Sequence, residues 1–136
     1  GSPCLVGEWG GDAPGTEWLP HVDFLLNTFA KYKWSHTYWH FSLGHFEAPL
    51  MDVLSRPYPK AVTGEVGEYS YDLKAKELTL DFTQEDEFDV PNIVYVKSKP
   101  QKVTLNGQDL TYEYKESTGD IEFKTSPGQH SLKVIL

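Results

Sequence analysis

The sequence predicts a chain of two fold classes, an α/β portion followed by an all-β portion. Three observations carry this. An apolar stripe at helical spacing, Trp18, Val22, Leu25, Leu26 and Phe29, lies between two strand-like runs. From Glu65 onward the apolar period changes to two, with Tyr69, Tyr71 and Leu73 alternating with Glu68, Ser70 and Asp72. Asn106-Gly107 stands between two such runs, the residue pair that a tight two-residue hairpin requires.

Residues 3–10 form the first expected strand. Leu5 and Val6 read as its buried end, and Gly7 and Gly10-Gly11 as places where the backbone turns sharply. Between them stands one carboxylate, Glu8, beside Trp9. Burying a charge at the mouth of an apolar strand without partners is costly. Glu8 is therefore either a catalytic carboxylate at a strand end or a strand cap that meets water. The loop of residues 10–15 follows, with Thr16 as the expected N-cap and Pro20 in the first helical turn, where proline is tolerated. The helix is expected to end near Tyr32.

A second strand is expected over residues 34–42, dense in aromatic and β-branched types. Strand, helix, strand is a βαβ unit, which implies a parallel pair. A parallel pair needs both faces covered, and one helix covers one face. The unit therefore reads as part of a larger sheet. Residues 43–64 form an irregular passage with a short helical turn within residues 48–54. Arg56-Pro57-Tyr58-Pro59-Lys60 reads as a stiff connection. The expected domains are residues 1–59 and 60–136. In the second, short strands alternate with the turns Lys74-Ala75-Lys76, Asn106-Gly107, Thr118-Gly119-Asp120 and Ser126-Pro127-Gly128, the spacing of an antiparallel sandwich.

Composition narrows the function. With 20 acidic against 12 basic residues the net charge is −8, and no basic run is present, which argues against nucleic acid and against docking on an anionic membrane. No apolar run reaches transmembrane length and no leader peptide is read. Cys4 is the single cysteine, so no disulfide closes within the chain; it is either a buried apolar residue or a bridge to another chain. His36, His40 and His45 lie close in sequence, but no Cys or carboxylate completes a metal set at usual spacing, so hydrogen-bonding roles are expected. The run Glu85-Asp86-Glu87 reads as a solvated loop. Tyr69, Tyr71, Tyr112 and Tyr114 are either a carbohydrate-binding face or, as preferred, half core and half exposed sheet.

A strand ending Gly7-Glu8-Trp9-Gly10, a helix, then a strand carrying Tyr38-Trp39 resembles the close of a family 5 glycoside hydrolase barrel, of the endoglycoceramidase and glycosylceramidase type. The likeness continues through residues 56–64, which resemble the Arg-Pro-Tyr-Pro segment leading from barrel to C-terminal sandwich. It implies that residues 1–59 are the last βαβ portion of a (β/α)8 TIM barrel, strand seven, helix seven and strand eight. It also implies that Glu8 is the nucleophile of a retaining β-glycosidase and Trp39 the aromatic platform under the sugar. Tyr38, His40 and Trp9 would line the same rim, with His36 less directly placed. Such enzymes pair a nucleophilic carboxylate with a carboxylic acid about 5–5.5 Å away. In this family the acid follows an Asn at the end of the fourth strand, and the sequence holds no Asn-Glu pair.

The expectation is thus a C-terminal portion, inactive alone. Its partner is the N-terminal barrel portion, as a separate chain or missing, and its substrate a glycoside or glycolipid, with membrane contact only through a lipid substrate. The chemistry needs no cofactor. A secreted or lysosomal location follows from the resemblance, with a cytoplasmic one left open. Phe46, Leu50, Met51, Val53 and Leu54 are read as packing rather than as a lipid-facing edge. The competing function is a non-catalytic carbohydrate-binding or interaction module carried by the sandwich. Against it, all four Trp (9, 18, 34 and 39) lie in the first portion.

Overall fold

A computed structural model describes residues 4–10, 16–40 and 49–136. The chain forms two compact units, residues 1–55 and 56–136.

In the first unit, β1 (Leu5–Trp9), α1 (Leu19–Tyr32), β2 (Ser35–Tyr38) and α2 (Leu50–Leu54) follow in order. The strands pair in parallel, with Leu5 opposite Ser35, Val6 opposite His36 and Trp9 opposite Tyr38, and the register shifts between Val6 and Trp9. The βαβ unit is therefore real. α1 buries Val22, Leu26, Phe29 and Ala30, one stripe of the amphipathic pattern. Its N-cap is Trp18, without a side-chain cap, rather than Thr16; the Thr16 carbonyl instead accepts from the Leu19 N–H at 3.2 Å. The helix stops at Lys33, which takes the left-handed conformation (φ 54°). There Lys33 N–H donates to Ala30 and Trp34 N–H to Phe29, satisfying carbonyls that the helix end orphans.

Three further readings of this unit change. Leu5 and Val6 are not a buried strand end, because a two-stranded sheet leaves Leu5 65% exposed and Val6 half-buried. Gly7 lies inside β1 with open space around it and makes no turn. Cys4 is exposed rather than buried. Leu50 and Val53 of α2 are buried, whereas Phe46 and the expected end of the second strand at Phe41 and Ser42 lie outside the described residues. Among the described residues no helix is long and apolar enough to cross a membrane.

The second unit holds β3 (Tyr58–Ala61), β4 (Glu65–Asp72), β5 (Glu77–Gln84), β6 (Asn92–Tyr95), β7 (Lys102–Leu105), β8 (Gln108–Asp109), β9 (Glu113–Lys115), β10 (Asp120–Phe123) and β11 (Gly128–Ile135). They make two antiparallel sheets, ordered β3-β6-β10-β9 and β4-β5-β11-β7-β8. One core joins both sheets: Leu78, Leu80 and Phe82 of β5 and Leu132 and Val134 of β11 meet Val94 of β6 and Ile121 and Phe123 of β10. Full burial of each such side chain stabilises by ~1.5–3 kcal/mol.

Residues 58–61 are a strand, not a stiff connector. β3 sits at the edge of its sheet, where a proline's missing N–H costs no ladder bond, so Pro59 is compatible with pairing opposite Val94. β3 lies whole within the second unit, which begins at Arg56. The four tyrosines also differ from expectation: Tyr71 is buried in the core, and Tyr69, Tyr112 and Tyr114 pack against it, so none forms a free sugar-binding face. The Arg56 guanidinium lies 5.6 Å from the Tyr71 ring centre. Burial raises the phenol pKa of both Tyr69 and Tyr71, with Arg56 opposing.

One end of the sandwich is closed by a buried polar knot. Asn92 Oδ1 accepts from the Thr63 N–H at 2.8 Å, and Asn92 Nδ2 donates to Thr125 Oγ1 at 3.0 Å. Gln84 Oε1 accepts from the hydroxyls of Thr63 and Thr125 at 2.7 and 2.6 Å, while Gln84 Nε2 donates to the carbonyls of Asp86 and Thr125. Both amides are about 1% exposed, and every polar atom of each has a partner, as burial demands.

Candidate active site

The residues singled out in the sequence converge on the C-terminal ends of β1 and β2. Parallel pairing makes this unavoidable: the strands run the same way, and Trp9 stands opposite Tyr38. Glu8 therefore precedes, and Trp39 follows, the same rung of the ladder. Glu8 is exposed. The pairing continues one step beyond the rung, where the Trp39 N–H donates to the Trp9 carbonyl at 2.8 Å.

Gly10 makes that step sterically workable. A Cβ on Gly10 would stand 2.0 Å from the Trp39 carbonyl oxygen and 3.3 Å from the Tyr38 ring, and its φ of 157° also favours glycine. The sequence marks Gly10 as a turn residue, and the close approach of a second strand is what it serves. Nothing in the local sequence signals that approach.

Trp9 packs toward α1. Its ring meets Phe29 edge-on at 5.2 Å, His36 at 5.4 Å and Tyr38 at 5.1 Å. The Trp9 indole N–H donates to His36 Nδ1 at 3.2 Å. Nδ1 is thus an acceptor, so the ring proton sits on Nε2. Trp9 and His36 hold the sheet to the helix and set the stage on which Glu8 is displayed. The Thr37 hydroxyl donates to the Gly7 carbonyl, tying the two strands again next to Glu8.

Trp39 is 62% exposed, and its ring lies 6.0 Å from His40, inclined at 67°. The exposed rim at the strand ends is therefore Glu8, Trp39 and His40, with Tyr38 half-buried behind them. A carboxylate beside a solvent-facing indole can approach one face of a pyranose ring while the indole covers its apolar C–H groups. Among the described residues no three His, Cys, Asp or Glu side chains converge to hold a metal ion.

Comparison with known proteins agrees with this layout at the level of fold. Endo-glycoceramidase II from Rhodococcus sp. superposes with a TM-score of 0.79 at 20% identity, over 98% of this chain and 33% of that one. Its lactosyl-enzyme intermediate gives 0.76 at 21%, over 98% and 33%. Sterylglucosidase 1 from Cryptococcus neoformans gives 0.72 at 12%, over 96% and 29%. The chain thus spans about a third of the length of these structures. No curated protein matches the chain. The glycoside hydrolase family 5 C-terminal domain matches residues 56–134, more than half of the chain and nearly all of the sandwich. The chain belongs to glycoside hydrolase family 5, and its residues from Arg56 onward are that family's C-terminal domain.

Proposed function

We propose that the chain is the C-terminal portion of a retaining β-glycosidase of the endoglycoceramidase type, in which Glu8 is the nucleophile and Trp39 the sugar platform. The observation that carries this reading is the parallel β1–β2 pair, which brings Glu8 and Trp39 to the same strand ends. Residues 1–55 would then be the last βαβ portion of a TIM barrel, whose catalytic groups gather at the C-terminal ends of its strands. Leu5, 65% exposed on a two-stranded parallel sheet, supports completion by further strands, since parallel sheets are covered on both faces.

In this reading the Glu8 carboxylate attacks the anomeric carbon as the bond to the leaving oxygen breaks. A carboxylic acid from the N-terminal barrel portion, a separate chain or missing here, protonates that oxygen. Water then hydrolyses the glycosyl ester, with the same acid acting as base. Trp39 orients the ring, His40 and Tyr38 border it, and Trp9 acts from behind by fixing His36 and Tyr38. The similar structures solved as a lactosyl-enzyme intermediate and as a ganglioside GM3 complex support a glycolipid as substrate.

The test combines the chain with the six preceding strand–helix pairs of an endoglycoceramidase and assays cleavage of a fluorogenic lactosyl lipid. Activity is expected only for the combination. A fluorinated lactoside inactivator should label Glu8, and Glu8→Gln should lower kcat by about 10⁴-fold or more, the scale for removing a covalent nucleophile. Activity of the chain alone, or label on another residue, would overturn the reading.

A further inference from the structure

A concave surface lies wholly within the sandwich, in the second unit. Residues 85–91, between β5 and β6, and residues 124–127, between β10 and β11, border a cleft of about 250 Å³. Its walls are Glu87, Phe88, Asp89, Lys124, Thr125 and Ser126. Nothing in the strand-end site uses these residues.

The cleft is built rather than incidental. Gln84 Nε2 holds the Asp86 carbonyl at 2.8 Å and pins the start of the first loop. Asn92, in the polar knot, pins its end. Lys124 Nζ donates to Asp89 Oδ1 at 2.5 Å across the cleft, an exposed pair that adds little to stability. Thr125 on that wall is fixed by both Gln84 and Asn92. Within this pinned frame Phe88 remains 43% exposed, although an apolar ring gains by burial. Anchoring the loop at both ends lowers the ordering cost of binding something against the exposed ring.

The lining selects the ligand class. At about 250 Å³ the cleft falls below the ~300–1,000 Å³ typical of drug-sized ligands, so it suits one ring and not a peptide. Two carboxylates against one ammonium disfavour an anion. The aromatic face of Phe88 accepts the C–H face of a ring, and carboxylates, hydroxyls and an ammonium serve alternating hydroxyl groups. We infer that this cleft is an accessory subsite for one neutral sugar ring, separate from the strand-end site and independent of whether Glu8 is a nucleophile.

The test is a ¹⁵N NMR titration of the 136-residue chain with methyl β-lactoside. Saturable shifts are expected at the amides of Phe88, Asp89, Lys124 and Ser126, with a Kd in the range of about 1–10 mM, weak but measurable. Phe88→Ala and Lys124→Met should each weaken binding about tenfold while leaving the thermal midpoint unchanged. Glu8→Gln should leave these shifts intact, which separates failure of this subsite from failure of the strand-end reading. No saturable shift at these amides, undiminished shifts in both variants, or the same shifts with calcium chloride alone would overturn the inference.

Discussion

The Trp39 carbonyl oxygen lies where a side chain on Gly10 would begin, 2.0 Å from that Cβ position, while the Trp39 N–H donates to the Trp9 carbonyl. The exposed indole at the end of β2 is thus seated on backbone of the segment that carries Glu8. Gly10→Ala forces the two segments apart and should displace Trp39 at a cost of about 1–3 kcal/mol, the usual range for overpacking. Gly7→Ala is the control, because open space surrounds Gly7, and should change stability by less than about 0.5 kcal/mol. Near-ultraviolet circular dichroism and urea unfolding of both variants check this. Equal effects from the two substitutions would contradict the seat.

The polar knot gives a prediction about coupling. Asn92→Ala removes the buried acceptor of the half-buried Thr63 N–H and the donor to Thr125, so it should destabilise the chain by about 1–3 kcal/mol. Gln84→Ala should cost a similar amount. Because Thr63 and Thr125 contact both amides, the double variant should lose less than the sum of the single losses. A double-mutant cycle by urea unfolding measures the difference, and strict additivity would show that the two amides act independently.

The same distinction between local and distant causes explains what the sequence made legible. The stripe Val22, Leu26, Phe29 and the period-two runs are local patterns, and they mark α1 and the core strands β5 and β11 correctly. Glu8 stands out because a charge at the mouth of a strand breaks the apolar pattern, whereas Trp39, in a run dense in aromatics, is singled out only through the resemblance to the family 5 barrel. β3 was hidden because its prolines argue against a strand, and only its place at a sheet edge, a tertiary fact, permits one. The packing of Tyr69, Tyr112 and Tyr114 on the core, the knot and the Phe88 cleft depend on residues about 20–40 positions apart meeting across loops, as in the Thr63–Gln84 and Gln84–Thr125 bonds. No window of sequence holds that information.

The Asn106-Gly107 turn tests a purely local term. Both residues have positive φ, 52° and 78°, as a type I′ hairpin requires, and β7 pairs with β8 across it. A Cβ on Gly107 would meet nothing within 4 Å. The cost of Gly107→Ala is therefore conformational alone, about 1 kcal/mol, without rearrangement of the core. Thermal unfolding should show the loss, and amide shifts should change only near the turn. Shifts reaching β11 core residues would point to a packing role instead.

Lys60 and Asp120 supply the pH dependence. Lys60 Nζ lies 2.9 Å from Asp120 Oδ2, and the Asp120 carboxylate is buried in β10. The hydrogen bond to Asp120 holds the Lys60 pKa above its ordinary value of 10.5; desolvation, the next largest effect, opposes it, and the Asp120 charge adds to the rise. In the unfolded chain the ammonium loses its proton near that ordinary value, and in the folded chain only at higher pH. The folded state therefore binds more protons between the two values, and stability falls as pH rises through that window. The contribution is complete below about pH 10 and disappears once Lys60 is neutral in both states. Urea midpoints at pH 8, 10 and 11.5 should fall across the last interval. Lys60→Met should lower the midpoint at pH 8, because it leaves Asp120 buried without its cation, and should flatten the alkaline fall. An alkaline fall of the same size in Lys60→Met would assign it to Tyr69 and Tyr71, whose phenols, raised by burial, keep their protons to higher pH in the folded chain than in the unfolded one and so give a fall of the same sign.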